Sequence, residues 1–152
     1  MGATFKVYLP LIDETASDAE QDSARGLEQY AGKETILVVE DDDRVRQFVR
    51  RALERGGYTV LEAPNAGEAL LIFEMHQGPI DLMITDDIMP RMTGPRLVAR
   101  LRAVRPSLRV IYFSGYSEDR LETVDGAPND AFLAKPVAVE SLLACVRQVL
   151  DR

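Results

Sequence analysis

Several residues in this chain have the type and spacing to do chemistry together. Glu40-Asp41 follow the apolar run Ile36-Leu37-Val38-Val39, and Asp86-Asp87 close the run that begins Leu82-Met83-Ile84. Ser114 follows Arg109 to Phe113, and Lys135 follows Ala131 to Ala134. Each has an ordinary explanation alone: acids cap helices, serines sit in turns and lysines decorate surfaces. Gathered in one place, they fit a specific reaction. Mg2+ is a hard cation that takes carboxylate oxygens while keeping several waters. Asp41 and Asp86 could ligate it, with Glu40 holding a coordinated water. A carboxylate can also attack a phosphoryl group and form an aspartyl phosphate. The group in flight spreads charge over three oxygens and needs cations and hydrogen-bond donors around it. Lys135 supplies a cation and the Ser114 hydroxyl a donor.

The elements that must position these residues are regular from Thr35 onward. The continuous apolar runs read as strands buried on both faces. Between the first two strands, Val45, Phe48, Val49, Ala52 and Leu53 predict one face of a helix that Asp43 caps and Gly56-Gly57 stops. Tyr58 to Ala63 reads as a strand. Asn65 with Glu68 resembles a capping box for a helix with Ala66, Ala69, Leu70 and Phe73 inward. Pro95 opens a helix burying Leu97, Leu101 and Val104. A short helix is expected from Ser117 to about Thr123, then a loop over Asp125 to Asn129. The last helix buries Val139, Leu142, Leu143, Val146 and Val149 or Leu150. Alternating strands and helices imply right-handed crossovers and a parallel sheet covered on both faces. The expected fold class is α/β, a flavodoxin-like (βα)5 doubly wound sheet of order 2-1-3-4-5. That order brings Glu40-Asp41, Asp86, Ser114 and Lys135 to one edge, where ligands bind in such sheets.

Composition bounds the alternatives. The chain of 152 residues suits one domain plus a tail, and its net charge of −7 argues against binding nucleic acid through the whole surface. No apolar run approaches the ~20 residues that span a bilayer, so this segment is expected to make no membrane contact. The single cysteine, Cys145, permits no internal disulfide and reads as a small core residue. A cytoplasmic location fits that usage. Thr4 to Leu9 alternates like a strand that Pro10 stops, and Asp13 to Gly32 turns acidic and small like a solvated linker.

Glu40-Asp41, Asp86 with Met89-Pro90 and Gly94, Ser114-Gly115 and Lys135-Pro136 together resemble the receiver domain of two-component response regulators. The resemblance covers roughly Lys33 to Arg152. It implies that Asp86, four residues before the proline, accepts a phosphoryl group from phosphohistidine with Mg2+. It implies that Glu40, Asp41, Asp86 and the Ile88 backbone carbonyl serve the metal, and that Lys135 and Ser114 grip the phosphoryl oxygens. It also implies a cis peptide bond at Lys135-Pro136, and a switch in which Ser114 and the aromatic Phe132 move inward. Phe132 lacks the hydroxyl that tyrosine has in chemotaxis-type receivers, and it reads equally as core. Ile88 and Tyr116 occupy places that are often polar in fast-hydrolysing receivers, and their bulk is expected to obstruct the attacking water.

The wording Thr85 to Pro90, Gly94-Pro95 and Phe113 to Tyr116 is similar to receivers fused at the C-terminus of hybrid histidine kinases. Gly2 to Pro10 resembles the closing strand of a kinase ATP-binding domain. The expected organisation is therefore a remnant kinase strand over 1–10, an acidic linker over 11–32 and a receiver over 33–152. The parent chain would be a histidine kinase and this chain a C-terminal fragment of it. Expected partners are a histidine kinase or a histidine phosphotransfer protein. A homodimer through the helix at 117–123, the fifth strand and the last helix is a further expectation. An arginine-rich stretch, Arg91 to Arg109, reads as a solvated helix face, with docking of an acidic partner as the alternative. An aspartate-nucleophile phosphatase would need an acid at position 88, where isoleucine stands. A receiver-like interaction module that never takes phosphate is the remaining alternative.

Overall fold

The computed structural model describes residue 26 and residues 28–115 and 130–152. The strand expected at Thr4 to Leu9, most of the acidic linker, Tyr116, the short helix from Ser117 and the loop over Asp125 to Asn129 lie outside the described residues. The dimer face that includes that helix therefore lies partly outside them too.

Five strands, β1 (Thr35–Val39), β2 (Thr59–Ala63), β3 (Leu82–Asp86), β4 (Arg109–Ser114) and β5 (Asp130–Ala134), form one sheet. All pairings are parallel and the order is β2-β1-β3-β4-β5, as expected. Four helices are described: α1 (Asp43–Arg55), α2 (Ala66–Met75), α3 (Gly94–Val104) and α4 (Val139–Leu150). Because successive strand side chains point to opposite faces, the apolar runs feed two cores. Ile36, Val38, Leu82, Ile84, Ile111 and Phe113 pack with Val49 and Leu53 of α1 and Leu142, Leu143 and Val146 of α4. Leu37, Val39, Met83, Val110 and Tyr112 pack with Ala66 and Ala69 of α2 and Leu97, Val98 and Leu101 of α3. Runs with no polar alternation were needed because both faces of the central strands are covered.

Three local expectations change. Asp42, not Asp43, caps α1: its carboxylate accepts the N–H groups of Arg44 at 2.8 Å and Val45 at 3.1 Å. Those two bonds hold the Asp42 carboxyl below its ordinary range. Asp43 is instead the first helical residue and pairs with Arg46. Phe48 is exposed on α1, and Val104 is exposed as the last residue of α3. The arginine stretch is only partly a free face. Arg102 reaches across to Asp130 of β5 and to the Leu108 carbonyl at 2.9 Å, and Arg105 lies over the Phe73 ring.

The segment ahead of β1 is tied to the opposite end of the sheet from the acids. The Tyr58 hydroxyl donates to the Tyr30 carbonyl at 2.6 Å, Gly32 N–H to Gly56 O at 2.9 Å, and Arg147 pairs with Glu34 at 2.8 Å. The Arg147 guanidinium holds the Glu34 carboxyl below its ordinary 4.5. A carboxyl whose pKa is lower folded than unfolded adds stability above the unfolded value, and that stability drains as pH falls through the folded one. Glu34→Gln should therefore destabilise by about 1 kcal/mol at neutral pH. The gap between its urea midpoint and that of the wild type should close in acid. A gap that is independent of pH would contradict this assignment.

Candidate functional site

Parallel packing puts the carboxyl ends of β1, β3, β4 and β5 side by side, and the chain turns there bring the chemistry-bearing residues in. Glu40 follows β1 directly. Its N–H donates to Ala63 O of β2 at 3.1 Å, which aims its side chain back into the fold, where it is buried. Asp41, next in the chain, is exposed. Asp86 is the last residue of β3, paired in register with Phe113. The loop behind it is held by Asp87 N–H to Phe113 O at 2.9 Å and by Gly94 N–H to Asp87 O at 3.1 Å. Lys135 follows β5 directly, ahead of a cis Lys135-Pro136 peptide, and its N–H donates to Ser114 O at 2.8 Å.

The ammonium of Lys135 sits between two carboxylates, 2.8 Å from Glu40 Oε2 and 2.8 Å from Asp86 Oδ2. The other oxygen of Glu40 accepts Asp42 N–H at 3.2 Å, and the other oxygen of Asp86 accepts Ile88 N–H at 3.2 Å. Burial raises the Glu40 carboxyl, and the hydrogen bond from Lys135 opposes that rise. Burial works against the Lys135 ammonium, yet its bonds to Asp86 and Glu40 outweigh that and raise its pKa. Ligand oxygens of Glu40, Asp41 and Asp86 lie within 4.8 Å of one another. Three carboxylates with no sulfur or imidazole among them suit a hard cation such as Mg2+.

The expected residues thus fall into two groups. Glu40, Asp41, Asp86 and Lys135 converge. Ser114 stands at the end of β4, on the strand next to Asp86, and Ile88 lies two residues beyond Asp86 with its side chain 59% exposed. Phe132 is half-buried and stacked on Tyr112, with ring centroids 5.1 Å apart. One contributor escapes sequence reasoning. Arg46, on the first turns of α1, donates from Nη1 to the Glu40 carbonyl at 2.7 Å. The only sequence hint is its i,i+3 spacing from Asp43, which would read as a helix surface pair.

A doubly wound α/β domain with an acidic trio and one lysine at the carboxyl edge of its sheet is the architecture of a phosphoacceptor switch. Residues 36–147 match the response regulator receiver domain, and the chain belongs to that family. It is 39% identical over 160 residues to the sensor kinase CckA of Brucella abortus (strain 2308), a match covering 99% of this chain and 17% of that protein. It is 33% identical over 116 residues to the response regulator receiver protein CpdR of the same organism, covering 76% of this chain and 95% of that one. The crystal structure of the receiver domain from the hybrid histidine kinase CckA is similar at 40% identity and a TM-score of 0.66, covering 76% of this chain and 98% of that one. The chain thus spans about a sixth of the sensor kinase it matches and nearly all of the single-domain receiver.

Receivers of this family take their phosphoryl group on an aspartate and interact with histidine kinases or phosphotransfer proteins. Among the described residues, no helix is long and apolar enough to cross a membrane.

Proposed function

We propose that this domain accepts a phosphoryl group from a phosphohistidine onto Asp86 and thereby switches a signalling surface. The observation that carries the reading is the Lys135 ammonium held between Glu40 and Asp86 at 2.8 Å each. An Asp86 oxygen attacks phosphorus, the P–N bond to the donor imidazole breaks, and the departing imidazole takes up a proton. Lys135 is already within reach of Asp86, so it neutralises charge on the phosphoryl oxygens without a large rearrangement. Ser114 donates from the neighbouring strand end. Asp41 and Asp86, with Glu40 and the Ile88 carbonyl, would hold Mg2+, which offsets charge on the transferring group. The product carries about −1.5 to −2 charge. That charge draws Ser114 inward, with Phe132 as a candidate follower.

The wider context is proposed on the same footing. The match to CckA runs across nearly the whole chain, including the segment ahead of the receiver. This supports residues 1–10 as the end of a kinase ATP-binding domain, 11–32 as a linker and 33–152 as the receiver of a bacterial, cytoplasmic hybrid histidine kinase. The test is transfer of labelled phosphate from a phosphorylated histidine kinase or phosphotransfer protein to this chain. Label on the chain, dependent on Mg2+, is expected. Failure of every such donor to label it, while Mg2+ binds, would favour a module that works without phosphate.

Ile88 bears on how long the phosphoryl group lasts. Its N–H donates to Asp86 at 3.2 Å, and its exposed side chain offers no hydrogen bond to an incoming water. Ile88→Asn should shorten the phosphoryl half-life about tenfold, the worth of one hydrogen bond in the transition state. An unchanged decay rate would remove Ile88 from the account.

A further inference from the structure

The loop that carries Glu40 and Asp41 is held at the Glu40 carbonyl by a side chain, Arg46, that is not one of the acidic trio or its lysine. The Glu40 peptide is fixed on three sides: its N–H to Ala63 O at 3.1 Å, its carboxylate to Lys135 at 2.8 Å, and its carbonyl to Arg46 Nη1 at 2.7 Å. That carbonyl belongs to the peptide unit that leads into Asp41, so its orientation sets where the Asp41 side chain departs. Asp41 itself is exposed and lies at the rim of the acidic trio.

Arg46 is in turn aimed from two elements. On its own helix it pairs with Asp43, and across to β2 its Nε lies 3.7 Å from Glu62 Oε1. Glu62 is also 3.4 Å from Arg50 Nε, so β2 and α1 share the same carboxylate. The Arg46 side chain is only 14% exposed. A planar guanidinium can serve a carbonyl and two carboxylates from one plane, which an ammonium cannot.

We propose that Arg46 is a positioning residue for the divalent cation: it orients the Glu40–Asp41 peptide so that Asp41 presents its carboxylate toward Asp86. The inference rests on the metal site proposed above and adds a residue to it. Two effects of Arg46 on a cation would have opposite sign. Its charge repels Mg2+, so removing the charge alone would tighten binding. Its grip on the carbonyl preorganises a ligand, and losing such an outer support weakens metal binding about tenfold or more.

The experiment is calorimetric titration of Mg2+ into the full chain as wild type, Arg46→Lys, Arg46→Gln and Asp41→Asn, with metal-free thermal midpoints measured in parallel. Asp41→Asn tests the site itself. If it binds as wild type does, or wild type does not bind, the metal reading fails and this proposal fails with it. If Asp41→Asn loses binding, the Arg46 variants decide. Weakening of about tenfold in both Lys and Gln variants supports positioning. The Mg2+ concentration for half-maximal phosphorylation should rise by the same factor. Unchanged binding in Arg46→Lys, or tighter binding in Arg46→Gln, would overturn the proposal while leaving the metal site intact. A variant with a collapsed thermal midpoint is replaced by Glu62→Gln, which keeps Arg46 but removes its β2 partner. Weaker Mg2+ binding there supports the proposal and unchanged binding overturns it.

Discussion

Lys135→Met should lose phosphoryl transfer while gaining affinity for Mg2+. The ammonium is 2.8 Å from both Glu40 and Asp86, so it stands beside the oxygen proposed to attack and, equally, would rival Mg2+ for the carboxylates proposed to bind it. Removing one positioned charge donor at a reacting centre lowers rate by about 10²–10³-fold. Removing a neighbouring cation from an acidic cluster should tighten Mg2+ binding by about tenfold. The opposite signs make the experiment discriminating, because a pocket that simply collapsed would lose both. Glu40 adds a pH signature. Burial already raises its carboxyl and Lys135 opposes that rise, so the variant should raise it further. A carboxyl with a raised folded pKa contributes stability below its unfolded value that is lost as pH rises through the folded one. Lys135→Met should therefore be most destabilised at neutral pH and recover in acid. Lys135→Arg keeps the charge on a wider, planar group and should fall between the two.

Gly94→Ala should damage fold and site together. A Cβ at Gly94 would stand 2.3 Å from the Asp86 carbonyl oxygen and 3.1 Å from Thr85 Cγ2. The first neighbour is backbone and cannot swing aside, so α3 or the end of β3 must shift. Such overpacking costs about 2–3 kcal/mol. The shift falls on Asp86, the proposed nucleophile, and displacement of about 1 Å can lower rate about 10²-fold. Gly115→Ala is the comparison, since among the described residues, its chain neighbours aside, nothing lies within 4 Å of its added methyl group. Its stability should change by less than about 0.5 kcal/mol. Urea midpoints for both variants check the structural half, and phosphorylation rates of Gly94→Ala check the other. A Gly94→Ala protein as stable as Gly115→Ala would contradict the close approach.

These effects rest on features that the sequence made visible to different degrees. The sheet was legible because unbroken apolar runs such as Ile36 to Val39 suit only strands covered on both faces, and each ended in residues capable of chemistry. With the strand order, the meeting of Glu40, Asp41, Asp86 and Lys135 followed without side-chain detail. Finer choices depended on tertiary position. Among the consecutive acids Asp41, Asp42 and Asp43, composition does not distinguish the helix cap. The extended backbone of Asp42, with φ −76° and ψ 115°, does. Phe48 and Val104 kept the helical period, yet the fold leaves them exposed, Val104 almost fully and Phe48 in part. Arg46 was invisible because its partners, the Glu40 carbonyl and Glu62, meet it only once β2 lies beside β1. Phe132 could be read as switch or core, and its stack on Tyr112 gives it a packing role before any switching.

The central claim is that Asp86, and not its neighbour Asp87, takes the phosphoryl group. The direct measurement is intact mass after incubation with a small acyl phosphate and Mg2+, for wild type, Asp86→Asn and Asp87→Asn. The account predicts one phosphoryl adduct in wild type and in Asp87→Asn, none in Asp86→Asn, and none in any of them once Mg2+ is chelated. An adduct that survives Asp86→Asn, or that disappears with Asp87→Asn alone, would contradict it.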